Sequence, residues 1–267
     1  MEQRLKWERE ARKAREQLAE RLGRTPEERK LLSTPYYIDH LLDNVLFSHE
    51  LTQMPMSTLP PKAREVLTKA QEKMVGMDPR ELLDASVKVN HPGNWSSPGG
   101  PQISKSAKRP LIIGPGINVI TSLLKDHDPK RRLVLMDINP NTAGMLKRFI
   151  DHYGIKNVEV VQGDIRKIPV KNVDYIQVSM VLHETPEKDR AQVMRELESS
   201  LSPPGKEKRG RIHIIDKTSH APCEHEEKYS AVNTEDLKRQ IKQAGLKITK
   251  RRADGHRIYI TARRKGR

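Results

Sequence analysis

Cysteine is almost absent from this 267-residue chain. Its single thiol, Cys223, leaves no partner for an intramolecular disulfide, and a reducing compartment is the expected setting. Aromatic residues make up only 4% of the sequence, too few to supply the stacking platforms of a typical single-strand nucleic-acid binder. No apolar run approaches the roughly 20 residues of a membrane-spanning helix. The first ten residues, with three Glu among them, lack the apolar stretch of a secretory signal and the acid-poor character of an organellar one. A cytoplasmic protein without membrane partners is the expectation. Hydrophobic residues (35%) barely outnumber charged ones (32%), which allows a core while leaving room for solvated helices.

Acidic residues are also scarce, but only locally. The net charge is +15, and residues 201–267 hold ten of those charges, with 18 Lys and Arg against 8 Asp and Glu. Such localisation reads either as a solvated basic surface or as a footprint for RNA or another polyanion.

The first 90 residues have helical signatures. Leu5, Ala11, Ala14, Leu18 and Leu22 fall on one stripe, Gly23 offers a stop, and Thr25-Pro26-Glu27-Glu28 is a helix start. Pro35 opens a more apolar stretch to Phe47 that includes Tyr36, Tyr37 and His40, residues that suit packing or a lid. Pro60-Pro61 precedes a helix over 62–75, and Asp78-Pro79 opens a short one. Residues 91–106 are rich in Gly and Pro and read as a linker. The expected division is a helical appendage (1–90), a linker (91–106) and an α/β domain (107–267).

From 107 onward strand and helix alternate, the pattern of a parallel sheet with helices on both faces. Strands are expected at 110–114, 132–137, 157–162, 173–179 and 211–216, with helices at 118–126, 141–153 and 186–201. A helix at 234–244, stopped by Gly245, is followed by Leu246–Arg252 and Arg257–Arg263 around Asp254-Gly255, a hairpin signal. The fold class is thus α/β, Rossmann-like, with a mostly parallel seven-stranded sheet and an antiparallel final strand. In such sheets ligands gather at the carboxyl ends of the strands. Here Gly114, Asp137, Asp164 and Ser179 stand at or just beyond four of those ends.

These residues carry a resemblance to the class I AdoMet-dependent methyltransferase family over 107–267. Gly114-Pro115-Gly116 resembles the turn that holds the methionine part of S-adenosyl-L-methionine. Asp137 resembles the acid that takes the ribose hydroxyls. Gly163-Asp164-Ile165 resembles the motif whose Asp meets the adenine amino group. Val173–Ser179 resembles the fourth strand, and Leu201-Ser202-Pro203-Pro204-Gly205 the turn before the fifth. The resemblance implies a cofactor set of Gly114, Gly116, Asn118, Asp137, Ile138, Asp164, Ile165 and Ser179. Two positions depart from the family pattern. Ile112 stands where an acid usually precedes the first glycine, and Asn118 replaces the third glycine. A dinucleotide-binding fingerprint would need glycine at 119, where the chain has Val119.

Methyl transfer is an in-line displacement that rests mainly on positioning, with a base required only when the acceptor must lose a proton. His183 and Glu184, just after the fourth strand, are the catalytic candidates; the alternative is that His183 only holds the loop before the next helix. Ser179-Met180-Val181-Leu182 lacks the Asn/Asp-Pro-Pro-aromatic segment of adenine amino methylation, and Cys223 is displaced from the place of a pyrimidine-attacking thiolate. His220, Cys223 and His225 lie together in a polar segment, but three candidates do not make a zinc site, and no metal is expected. The expected activity is methyl transfer to a small molecule, slightly ahead of RNA. The alternative is an inactive methyltransferase-like protein that binds RNA or a ribonucleoprotein through the basic C-terminal region.

Overall fold

The computed structural model describes residues 2–35, 37–38, 41–42, 45, 60–89, 106–115, 128–203, 210–218, 231–254 and 257–265. Gly116, Asn118, the expected helix at 118–126, the linker, Tyr36, His40, Cys223 and its neighbouring histidines lie outside them. The chain divides into two compact units. One comprises Met1–Gly100, Gly116–Asp126 and Gly144–Gly154; the other comprises Pro101–Pro115, His127–Ala143 and Ile155–Arg267.

The first unit is helical: α1 (Glu2–Leu22), α2 (Pro26–Leu32), α3 (Pro61–Val75) and α4 (Pro79–Val89). The start of α2 is a full capping box. The Thr25 hydroxyl accepts from the Glu28 N–H (3.2 Å), and the Glu28 carboxylate accepts from the Thr25 N–H (3.3 Å). Ala11, Ala14, Leu18 and Leu22 are all buried, as the stripe on α1 requires. Arg21 of α1 pairs with Glu81 of α4 at 2.9 Å, and the Tyr153 hydroxyl donates to Asp84.

The second unit is built on one seven-stranded sheet. Its strands are β1 (Pro110–Ile113), β2 (Leu133–Asp137), β3 (Val158–Gln162), β4 (Tyr175–Ser179), β5 (Arg211–Lys217), β6 (Leu246–Asp254) and β7 (Arg257–Arg264), in spatial order 3-2-1-4-5-7-6. The first five pair in parallel, and β7 runs antiparallel to both β5 and β6. Strands β1 and β2 are buried at every residue, the run of apolar positions that a sheet covered on both faces demands. Helices α5 (Pro140–His152), α6 (Glu187–Ser200) and α7 (Thr234–Gln243) alternate with the strands; α5 passes from this unit into the first at Gly144.

One face of the sheet forms the main core. Leu111, Ile113, Val134, Met136, Ile176, Val178, Ile212 and Ile214 pack in one cluster with Val193, Met194 and Leu197 of α6 and Leu237 and Ile241 of α7. Local signals set the ends of these helices. The Asn139 side chain caps α5 by accepting from Asn141 N–H at 2.8 Å, with Pro140 at the first helical position. The Asn233 side chain caps α7, and Gly245, at φ +79°, ends it. Arg264 of β7 ties the hairpin to the end of α6, donating to the Glu198 carboxylate (2.5 Å) and the Glu198 carbonyl (2.7 Å).

The fourth strand begins two residues later than expected. Val173 instead makes an isolated parallel bridge to Leu201.

Candidate functional site

The switch point of this sheet lies between β1 and β4, where the strand order reverses, so ligands are expected at the carboxyl ends of these strands. Backbone hydrogen bonds continue the sheet beyond the strands there. Gly114 N–H donates to the Met136 carbonyl (3.0 Å), and Gly163 N–H donates to the Asp137 carbonyl (2.9 Å). Gly114 has φ +65°, and a Cβ built on it would stand 2.3 Å from Val181 Cγ2 and 3.2 Å from the Ser179 carbonyl. The first strand thus turns directly against the segment that leaves β4, and only glycine fits.

Asp137 ends β2 with its carboxylate buried, and its Oδ1 accepts from Asn139 N–H at 2.9 Å. Its neighbour Ile138 is 62% exposed, a large apolar side chain left facing outward beside the buried acid. Asp164 follows β3. Its two oxygens accept from Arg166 Nε (3.1 and 2.9 Å), Arg166 Nη2 (2.6 Å) and the Arg166 backbone N–H (2.8 Å). Arg166 holds this carboxyl below its usual range, and the Asp164 side chain remains 31% exposed. Ile165 is buried and belongs to the core cluster.

After Ser179 the chain makes a strained step. Met180 adopts φ +58°, uncommon for a residue with a side chain, and its N–H donates to the Ile215 carbonyl at 2.8 Å. A single 3-10 turn, Leu182–Glu184, follows. Two charged side chains clamp it from opposite sides. Asp216, fully buried near the end of β5, accepts through Oδ2 from Val181 N–H (3.1 Å) and Leu182 N–H (2.7 Å). The buried Arg190 of α6 donates from Nε to the carbonyls of Leu182 (3.0 Å) and Thr185 (3.1 Å).

The same Asp216 holds the first catalytic candidate. His183 Nδ1 lies 2.7 Å from Asp216 Oδ1, and both residues are buried. His183 Nε2 faces Glu184 Oε1 at 3.7 Å. Glu184 is pushed up to about 7, chiefly because burial penalises its charge and further because Asp216 and Asp137 repel it; His183 and Lys217 act in the opposite direction. In the sheet, β1 lies between β2 and β4, and β5 is the next strand beyond β4.

Sequence reasoning missed Asp216 and Arg190. Asp216 had a signal: Ile214-Ile215-Asp216 repeats the form of Leu135-Met136-Asp137, an apolar strand ending on an acid. Arg190 had none, because its partners are carbonyls created by the turn. The departure at Ile112 is now visible in the sheet. Ile112 is fully buried in register with Gln177 of β4, itself fully buried with neither amide atom hydrogen-bonded. Among the described residues, no group of His, Cys, Asp and Glu is arranged to hold a metal ion. No helix described is long and apolar enough to cross a membrane.

Comparison with known proteins agrees with this geometry. Residues 111–205 match the methyltransferase domain family. Among solved structures, the chain is similar to the mitomycin 7-O-methyltransferase MmcR, at 16% identity over 89% of this chain and 70% of that one, with a TM-score of 0.52. It is similar also to the PH0226 protein of Pyrococcus horikoshii OT3 (15% identity, 61% and 84% of the two chains, TM-score 0.50). A third is PigF with SAH (17% identity, 70% and 60%, TM-score 0.50). No curated protein sequence matches the chain. The fold is the Rossmann-like methyltransferase fold, and the stretch from β1 to the end of α6 is similar to the methyltransferase domain family.

Proposed function

We propose that this chain transfers a methyl group from S-adenosyl-L-methionine to a small-molecule acceptor. The observation that carries this reading is the convergence of Gly114, Asp137, His183 and Glu184 at the carboxyl ends of β1, β2 and β4. The residues fit the cofactor in charge: the acids that repel one another around Glu184 favour a cationic ligand. When bound, S-adenosyl-L-methionine supplies a methyl group on a positively charged sulfur, which leaves as a neutral thioether.

In this reading Asp137 accepts from the ribose hydroxyls, and Gly114 and Gly116 carry the backbone past the methionine part. Asn118, Ile138, Ile165 and Ser179 complete the cofactor surroundings. Asp164 meets the adenine amino group. His183 and Glu184 face the acceptor. Residues 1–90 serve as lid or recognition element, joined through 91–106 to the catalytic domain. MmcR, a 7-O-methyltransferase by its name, supports a small acceptor.

Titration calorimetry with S-adenosyl-L-methionine and with S-adenosylhomocysteine tests the reading. Micromolar affinity is expected, weakened at least 100-fold in Asp137→Ala, the order of loss for a desolvated bidentate contact of roughly 3 kcal/mol. No heat at millimolar ligand in the intact chain would overturn it.

A second reading, RNA binding without catalysis, draws on strand register. Arg211, Lys217, Arg257, Arg263, Lys247, Lys250 and Arg252 fall on one face of β5, β7 and β6, with Asp254 the acid among these positions. Arg252 lies 5.9 Å from the centre of the Tyr259 ring. Replacing Lys247, Lys250 and Arg252 together by alanine should reduce the salt slope of RNA binding by about 2, at roughly 0.7 per lost phosphate contact on a single strand. Fluorescence anisotropy of a labelled RNA across a salt series measures it. An unchanged slope, or no binding at low salt, removes this reading.

A further inference from the structure

Successive residues of a strand point to opposite faces of the sheet. Ile113, Met136, Ile176, Val178 and Ile214 belong to the core cluster on one face. Their chain neighbours Ile112, Asp137, Gln177 and His213 therefore share the other. Gln177 lies in register between Ile112 of β1 and His213 of β5. It is fully buried, and among the described residues neither its amide oxygen nor its amide nitrogen has a hydrogen-bond partner. Ile112 has no polar side-chain atom to offer. His213 has its Nδ1 3.2 Å from Thr261 Oγ1, and burial holds its imidazole below the usual histidine range. A neutral imidazole turned to Thr261 thus flanks an amide that nothing satisfies. An unpaired buried amide is costly, and both of its ends call for a partner.

We propose, on the methyltransferase reading above, that Gln177 binds the amino-acid end of S-adenosyl-L-methionine. Its Oε1 accepts from the ammonium and its Nε2 donates to the carboxylate. The order of the strands supports this placement. Asp137, which that reading gives to the ribose, ends β2; the Gly114 turn, which it gives to the methionine part, ends β1; Gln177 stands on β4, the next strand over. Asp137 and Gln177 share a face, two strands apart and one pleat out of step. With strands about 4.8 Å apart and a pleat of about 7 Å, their Cα atoms are about 12 Å apart. The ribose and the amino-acid end lie on opposite sides of the cofactor's sulfur, so one ligand laid across β1 reaches both side chains. An amide also suits the zwitterion chemically. It offers an acceptor and a donor together and buries no net charge, whereas Ile112 in the same row offers neither.

The test needs no methyl acceptor. Calorimetry compares S-adenosylhomocysteine with 5′-methylthioadenosine, which keeps the adenosine and the sulfur but has no amino-acid end. In Gln177→Met, affinity for S-adenosylhomocysteine should fall about 10–100-fold, the loss expected for hydrogen bonds to charged groups. Affinity for 5′-methylthioadenosine should stay within about threefold. Equal losses for the two ligands, or none for either, overturn the proposal. So does an intact protein that binds 5′-methylthioadenosine alone. An intact protein that binds neither ligand instead removes the methyltransferase reading on which the proposal rests.

Thermal unfolding without ligand gives a second readout. Gln177→Met replaces an unpaired amide by an apolar chain of similar length, so the ligand-free variant should melt at or above the temperature of the parent. An amide that served only to hold the sheet, through His213 for instance, would lower the melting temperature and leave the ratio of the two affinities unchanged; that pair of results overturns the proposal. Should Gln177→Met not fold, NMR of the ¹⁵N-labelled parent decides. S-adenosylhomocysteine should shift the side-chain NH₂ signals of Gln177, and 5′-methylthioadenosine should leave them in place. The same response to both ligands, or none to either, overturns the proposal.

Discussion

Alanine at position 114 should destabilise the α/β unit by roughly 3 kcal/mol, a fall in melting temperature on the order of 10 °C. Two costs add. The left-handed backbone at φ +65° charges any side chain about 1–2 kcal/mol. The new methyl would stand 2.3 Å from Val181 Cγ2, and valine is stiff at χ1, so relief requires moving the segment after β4 at about 1–3 kcal/mol. That segment carries the turn with His183, so cofactor binding should suffer along with stability. Thermal unfolding of Gly114→Ala alone and combined with Val181→Ala separates the two costs. The double variant removes the colliding methyl and should recover the steric share while leaving the backbone share. Full recovery would mean that the backbone conformation is cheap; no recovery would mean that β1 and the Val181 segment are not packed as described.

Glu184 should make stability depend on pH in a narrow window. Burial raises its folded value from 4.5 to about 7, so the folded protein binds the proton more tightly than the unfolded chain. Its contribution is therefore greatest below pH 4.5, falls as pH rises to about 7, and is constant beyond. A shift of this size corresponds to about 3 kcal/mol, which solvent at a side chain one-third exposed reduces to on the order of 1–2 kcal/mol. Glu184→Gln cannot ionise. It should match the parent protein near pH 4.5 and exceed it by that amount at pH 8, as read from urea midpoints at the two pH values. A cationic ligand reverses the advantage, because the ionised Glu184 attracts it. Affinity for S-adenosyl-L-methionine should rise between pH 5 and 7 in the parent and stay flatter in the variant. Parallel stability curves for the two proteins would show that Glu184 keeps an ordinary carboxyl environment.

The two predictions turn on contacts of different legibility. Strand ends could be read directly: Leu133–Asp137 is an apolar run closed by an acid, Val158–Gln162 is a valine-rich stretch closed by Gln162, and the observed strands fall within a residue of the expectation. The capping box at Thr25 was legible because its partners are three residues apart. The antiparallel β7 followed from the hairpin signal before it. In the candidate site, the sequence singles out residues that suggest a role by their own type and place, as at Gly114, Asp137 and His183, but not their partners. The bond between His183 and Asp216 spans 33 residues and exists because β4 and β5 are neighbours in the sheet. No periodicity encodes which acid a histidine meets. The bidentate hold of Arg166 on Asp164 is local, two residues apart, yet composition gives no rule for it. Ile165, expected beside the cofactor, has its side chain buried in the apolar cluster that also holds Val170 and Val173.

The strand order also bears on how the molecule comes into being during synthesis. Strand β7 lies between β5 and β6, although it leaves the ribosome last of the three. Until it emerges, the outer edge of β5, with Ile212 and Ile214 on it, has no partner, and β6 waits detached from the sheet it will border. An unpaired apolar edge invites pairing with another nascent chain. The cations at Lys247, Lys250, Arg251 and Arg252 on the waiting strand and Arg257 and Arg263 on the closing one keep such early encounters repulsive. The charge that suggests an RNA footprint thus also protects the last step of vectorial folding.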